Sequence, residues 1–399
     1  MGKSPLSSDL ARVRGVSAKV AGPLGPEAPA LAPAVARVLA RRLAQALARG
    51  LTLALALVAV ALARLEPLAA APATPAQPVI IDTDVGDDID DAFALAVALQ
   101  DARLNVIGIT TAWGDTRTRV LLVRRLLATL GRKDVVVAQG PETPNTVPFT
   151  QKKWASGAVD TTPATDAIEF IRNQVRKRPG EITLIALAPL SNIEALQQRA
   201  PDTIHKLKQV VLMGGSVFAG YNEGGAIPTA QPSAEYNIAS APRGLTILLE
   251  SGIPVRMFPL DSTQIKFDEV RRDRLFAYGS PGSDALALLY HQWRLLNSWG
   301  QITPTLFDVV PVIWMLQPST CPVTPLRITV DEHGYTRPVT AGGPNVAVCL
   351  AIDESTTQQL IMETLAPQPQ RTAPVGRLPV GTAPVGRPPA GMAGVGTPP

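Results

Sequence analysis

VIIDTDVGDDIDDAFALAVALQ, residues 79–100, decides how the chain folds. It opens on a short β-branched run, Val79–Asp82, passes through an acidic turn around Gly86, and continues from Ala92 as an uninterrupted apolar segment of helical length. A buried strand, a glycine turn and a buried helix in that order form the first half of a βαβ unit. Reading outward, further short runs fit strands: NVIGITT (105–111), DVVVA (134–138), ITLIALA (182–188), QVVLM (209–213) and Val255–Pro259. Helical patterns separate them at about 118–130, 166–176, 192–198 and 242–250. The alternation predicts an α/β fold, a single doubly wound domain whose mostly parallel central sheet is flanked by helices. In such sheets ligands bind beyond the carboxyl ends of the strands. The acidic turn after the first strand lies at such an end.

Six of the ten residues 82–91 are aspartates. Carboxylates crowded into so small a volume repel one another and raise each other's pKa, and a divalent cation relieves this. The donors are hard oxygens with no His or Cys nearby, which points to Ca²⁺ or Mg²⁺ rather than zinc. The Asp82-Thr83-Asp84 spacing also fits a second chemistry, a metal-dependent phosphatase with Asp82 as nucleophile. The plainer alternative is one aspartate capping the helix and the rest solvated.

Charge and composition divide the chain into three parts. The net charge of +4 averages over a leader (1–77) of +6, a tail (367–399) of +3 and a middle (78–366) of −5. The basicity sits at the two ends, which argues against a nucleic-acid-binding domain, as does an aromatic content of 5%. The leader carries LTLALALVAVALA (51–63) behind Arg41, Arg42 and Arg49 and ahead of a stretch rich in Ala and Pro. That is the pattern of a signal peptide, so export to the periplasm or medium is expected, with membrane anchoring and a cytosolic extension as alternatives. The tail repeats TAPVGRLPVG and TAPVGRPPAG (372–391) and is too poor in bulky apolar residues to form a core. Cys321 and Cys349 could pair once in an exported chain or remain as two buried thiols.

Five segments in order resemble the inosine–uridine preferring nucleoside hydrolases: DTDVGDDIDDAFAL, ITTAWGDT (109–116), ALAPLSNIEAL (186–196), VVLMGGSV with PSAEYNI (210–238), and LFDVVPVIWML (306–316). The resemblance covers roughly residues 78–360. It implies hydrolysis of the N-glycosidic bond of a small-molecule ribonucleoside to ribose and free base. It also implies one Ca²⁺ held by Asp84, Asp91, the backbone carbonyl of Ser191 and Asp308, with Asp84 as the general base. Asp90, Glu235 and Asn237 would hold the ribose, with Asp82 supporting the cluster. Asp88 is an alternative for the ribose role of Asp90. A homo-oligomer is expected, as is usual in the family.

The matches depart from the family in places. Asp115 stands where members carry Asn, and remains a candidate sugar contact. Asn222 is the nearest counterpart of a further sugar-binding Asn. Phe307 replaces the His that precedes the late aspartate and helps protonate the leaving base. His291 and Trp293 are then candidates for contacting that base. Phe307 also raises the alternative of a relative that binds nucleosides without turning them over.

Overall fold

The computed structural model describes residues 32–63, 76–222, 231–298 and 300–368. The repeat at 372–391 lies outside them. One helix of the leader, α1 (Ala32–Ala63), runs through the apolar segment 51–63 and belongs to a unit separate from the domain that begins at Pro75. Among the described residues, no helix is long and apolar enough to cross a membrane.

The domain starts with the expected alternation: β1 (Gln77–Thr83), α2 (Asp90–Gln100), β2 (Leu104–Thr111), α3 (Thr116–Thr129), β3 (Val136–Gln139), α4 (Lys152–Ala155), β4 (Thr165–Asp166), α5 (Ala167–Lys177), β5 (Thr183–Ala186), α6 (Ser191–Arg199) and β6 (Gln209–Met213). Next come α7 (Tyr236–Ser240), α8 (Pro242–Glu250), β7 (Val255–Phe258), α9 (Leu260–Thr263), α10 (Glu269–Phe276), α11 (Pro281–Leu296) and α12 (Val309–Leu316). The last described elements are β8 (Thr324–Leu326), β9 (Ile328–Val330), β10 (Thr336–Pro338), β11 (Val346–Val348) and α13 (Glu354–Leu365).

The main sheet runs β4-β3-β2-β1-β5-β6-β7-β11-β8, parallel throughout except for β8 against β11. Strand order reverses at β1, whose neighbours are β2 and β5, so the crevice of a doubly wound sheet opens there. Side chains alternate across β1: Val79 and Ile81 join the core beneath α2, α3, α11 and α12, whereas Ile80 joins the core beneath α5, α6 and α8. α2 is buried from Asp90 to Leu99, which is why it is apolar all round instead of striped.

The final third was less legible. β8 to β11 span three residues each and include Pro325 and Pro338, too short for a period-two pattern to register. Their placement is braced by a disulfide between Cys321, just before β8, and Cys349, just after β11, with Cα atoms 5.8 Å apart. Of the two states open to these cysteines, the bonded one is found. Closing a loop of 28 residues stabilises a chain by about 3–4 kcal/mol through the unfolded state. Replacing both cysteines by alanine is expected to lower the free energy of unfolding by that amount in urea titration. A loss under about 1 kcal/mol would show that the bond braces nothing.

Candidate active site

The loop from Asp82 to Asp91 leaves β1 at the reversal of strand order and returns as α2. Gly86 has φ of +130°, and a Cβ there would fall 2.1 Å from the Phe149 ring, so the turn needs glycine for both conformation and space. Asp82 is fully buried below the loop. It accepts from Thr110 Oγ1 at 2.5 Å and from Asn192 Nδ2 at 2.6 Å, while its Oδ2 has no partner. Burial pushes its pKa up to about 6, against the lowering effect of those two donors. Asp82 does not line the cavity above. A nucleophile must reach its substrate, so the arrangement contradicts the phosphatase alternative.

Above Asp82 lies a cavity of about 470 Å³ whose floor carries Asp84, Asp87, Asp88, Asp90, Asp91 and Asp308. Oxygens of Asp90, Asp91 and Asp308 lie within 4.8 Å of one another, and all three residues are buried. Asp308 arrives from the other end of the chain as the residue before α12, and its N–H donates to Asp90 Oδ2 at 3.3 Å. Thr83 Oγ1 donates to Asp91. Burial, then mutual repulsion, holds Asp90, Asp91 and Asp308 well above the usual carboxylate range. Asp84 is raised to about 7, chiefly by burial and partly offset by Arg119. Asp88, half-buried, rises to about 6 through desolvation.

The opposite wall is built by α7. Glu235 caps this helix, its carboxylate accepting from the N–H groups of Asn237 (2.9 Å), Ile238 (3.1 Å) and Gly215 (2.9 Å). Desolvation still outweighs these donors and raises its pKa. Asn237 donates from Nδ2 to the carbonyl of Leu187 at 2.8 Å, which fastens α7 to the end of β5. Leu187, Tyr221, Tyr236 and Phe307 complete the enclosure. Tyr221 meets Phe307 edge-on, with ring centroids 6.2 Å apart.

Asp84, Asp88, Asp90, Asp91, Asp308, Glu235 and Asn237 are therefore brought together as expected from the sequence. Five other candidates are not. Ser191 begins α6 and does not line the cavity; of its segment, Leu187 does. Asp115 is exposed and caps α3, accepting from Thr118 N–H at 2.9 Å and Thr118 Oγ1 at 2.6 Å. Asn222 is tied through its N–H to Gln264 Oε1 at 2.7 Å, and its neighbour Tyr221 faces the cavity instead. His291 is exposed on α11. Trp293, just over half a turn further on, is 1% exposed and packs in the core beside Asp88 without itself lining the cavity.

Several participants escaped the sequence reading. Asn192, which clamps Asp82, was in plain view beside Ser191 in the ALAPLSNIEAL segment. Tyr236 stood within the PSAEYNI segment between Glu235 and Asn237, whereas Arg119 and Asn145 carried no motif, and only contacts across long sequence separations reveal them.

The donor set suits a hard divalent cation. Buried carboxylates held apart from any equal number of cations, with pKa values raised by one another, are a site in which a positive ion restores balance.

Comparison with known proteins agrees with this geometry. The family model described as inosine-uridine preferring nucleoside hydrolase matches residues 79–359. The chain is 30% identical over 319 residues to a pyrimidine-specific ribonucleoside hydrolase RihA of Citrobacter koseri, covering 73% of this chain and 98% of that protein. It is 27% identical over 318 residues to RihA of Escherichia coli, with the same coverage. Among solved structures, a plant nucleoside hydrolase superposes with a TM-score of 0.64 at 26% identity, covering 73% of this chain and 99% of that one. A purine-preferring ribonucleoside hydrolase from Gardnerella vaginalis, at 22% identity and a TM-score of 0.61, shares the fold. With an acidic cavity at the strand-order reversal and a family match across nearly all of the domain, the chain belongs to the inosine-uridine preferring nucleoside hydrolases.

Proposed function

We propose that the protein hydrolyses ribonucleosides to ribose and free base with a bound Ca²⁺, using Asp84 as general base. One observation carries this reading: carboxylates from two distant segments, Asp90 and Asp91 on one and Asp308 on the other, converge in a cavity whose far wall presents Glu235 and Asn237. Asp84, Asp91, Asp308 and the Leu187 carbonyl would hold the ion. When bound, Ca²⁺ supplies charge that acidifies and orients the attacking water.

The remaining steps belong to the chain. Asp84 accepts the proton of that water; a bound cation would favour its ionised form, the form that can act as the base. Asp90, Glu235 and Asn237 orient the ribose hydroxyls, and the surrounding negative charge stabilises the oxocarbenium-like cation as the glycosidic bond breaks. Tyr221, Tyr236 and Phe307 give the departing base aromatic surfaces to stack on.

Phe307 favours a second reading, nucleoside binding without turnover, because a phenyl ring cannot donate a proton. Incubating the full chain with Ca²⁺ and a panel of purine and pyrimidine nucleosides separates the two. Free base and reducing sugar are expected in equal amounts from at least one nucleoside. Binding without release from any of them would establish the second reading.

Export is proposed as well, supported by the signal-like leader and by the disulfide, a bond of oxidising compartments. Cell fractionation tests it; recovery of the protein solely from the cytoplasm, with reduced cysteines, would overturn it.

A further inference from the structure

Asp87 differs from the other acids of the loop in having a dedicated counter-ion. Arg119 of α3 is completely buried, and its Nη2 lies 2.7 Å from Asp87 Oδ2 while Nη1 lies 3.2 Å from Oδ1. The guanidinium turns its remaining donors to backbone. Nη1 also donates to the carbonyl of Asp84 and, at 3.1 Å, to that of Val85, and Nε donates to the carbonyl of Trp113 at 2.8 Å. Its centre lies 5.1 Å from the centroid of Phe149, the ring that closes over Gly86. A buried guanidinium is tolerated only when its donors are satisfied. Here both terminal nitrogens are spent on the turn that carries Asp84, and Nε on Trp113.

A second observation points the same way. Among the described non-glycine residues, Trp113 alone has a positive φ, at 60°. Such backbone persists where its surroundings over-determine it, and it concentrates at functional sites. The surroundings form a closed circuit. Arg119 holds the Trp113 carbonyl, the Trp113 indole N–H lies 3.1 Å from Tyr236 Oη, and Tyr236 Oη donates to Asn145 Oδ1 at 3.3 Å. Asn145 Nδ2 then donates to Asp87 Oδ2 at 2.7 Å, closing the circuit on the partner of Arg119. Tyr236 also lines the cavity, so the circuit ties the acidic turn to the wall facing it.

We propose that Arg119 is the positioning residue of the acidic loop: paired with Asp87, it presets the Asp84–Val85 backbone for a divalent cation and locks that turn to the Tyr236 wall. The inference rests on the cation site described under Proposed function. The two charges of the pair cancel, so the turn is held without spending the negative charge that Asp84, Asp90, Asp91 and Asp308 offer the ion. Only a planar fork can serve the carboxylate and the carbonyls together, so lysine is not an equivalent.

Removing Arg119 alone would strand a buried carboxylate, a severe cost in itself. The test therefore uses the full chain with Arg119→Met and Asp87→Asn combined, beside Arg119→Lys. Binding of Ca²⁺ without nucleoside is measured by calorimetry, and folding by circular dichroism. The paired variant is expected to keep its fold and to bind Ca²⁺ about 10- to 100-fold more weakly than the parent, the usual loss when an outer support of a metal site is removed. At saturating Ca²⁺, and per folded molecule as counted by circular dichroism, its kcat stays below that of the parent with little change in KM. Arg119→Lys is expected to weaken Ca²⁺ binding as well, and it decides the matter should the paired variant not fold. Ca²⁺ affinity equal to the parent's in a folded variant would overturn the inference alone. A parent chain that binds no divalent cation would overturn both the cation site and this inference.

Discussion

Asp84→Asn is expected to lower kcat by about 10³-fold or more while leaving the protein folded. The substitution keeps the shape of the side chain but removes its basicity and one of the charges offered to the ion. It also supplies its own control for stability. Burial already raises Asp84 from 3.8 to about 7, so its ionised form is the unfavourable one in the cation-free protein. Neutral asparagine escapes that cost, and the cation-free variant should melt no lower than the parent at pH 8. A variant that melts as predicted yet retains a tenth of the parental kcat would show that another group accepts the proton.

Chelation is expected to abolish turnover and to lower the melting temperature, with Ca²⁺ restoring both. An ion at 100 times its dissociation constant stabilises the native state by about 2.7 kcal/mol, which for a domain of this size corresponds to roughly 4–5 °C. The pH dependence should differ in sign between the two forms. A carboxylate whose folded pKa exceeds its unfolded value adds stability that is complete below the unfolded value and is lost as pH rises through the folded one. For Asp84 that window runs from 3.8 to about 7, with Asp82 and Asp88 losing their share by about 6. The chelated protein should therefore weaken from pH 4 to pH 7. Ca²⁺ must displace protons from these same groups, so its stabilising effect should grow over that interval. Calorimetric scans with chelator and with Ca²⁺ at pH 5 and pH 7.5 check both signs. An ion effect independent of pH would place the cation elsewhere.

The gap between expectation and structure has a consistent cause. Asp82, Asp84, Asp90 and Asp91 were legible because one short segment contains the strand end, the glycine turn and the helix start, and local geometry alone carries those side chains to one place. Asp308, Glu235 and Asn237 were legible through family resemblance, not through any local rule. Asp115 and Ser191 were carried over from the family resemblance, and local geometry at these two positions does not bring them to the cavity. Each opens a helix at the end of a strand, but Asp115 is claimed by the first turn of α3, and the chain leaves the cavity before reaching Ser191. The candidates on α11 failed because a helical pattern shows a periodicity but not the direction in which the helix is docked: Trp293 turned inward to the core and His291 outward to solvent.

By itself, then, the sequence determined the layered α/β architecture and the acidic turn at the end of β1, since both follow from short-range patterning of apolar and charged residues. It also showed that the excess positive charge lies outside the domain. Only the tertiary structure decided that Leu187 and not Ser191 lines the cavity, that Asp82, already expected as a support, is sealed off from it, that Cys321 and Cys349 pair, and that Arg119 reaches back to the turn carrying Asp84. Those outcomes depend on where elements separated by tens to hundreds of residues pack against one another. Such packing is settled by the fit of whole surfaces, and no single stretch of sequence contains it.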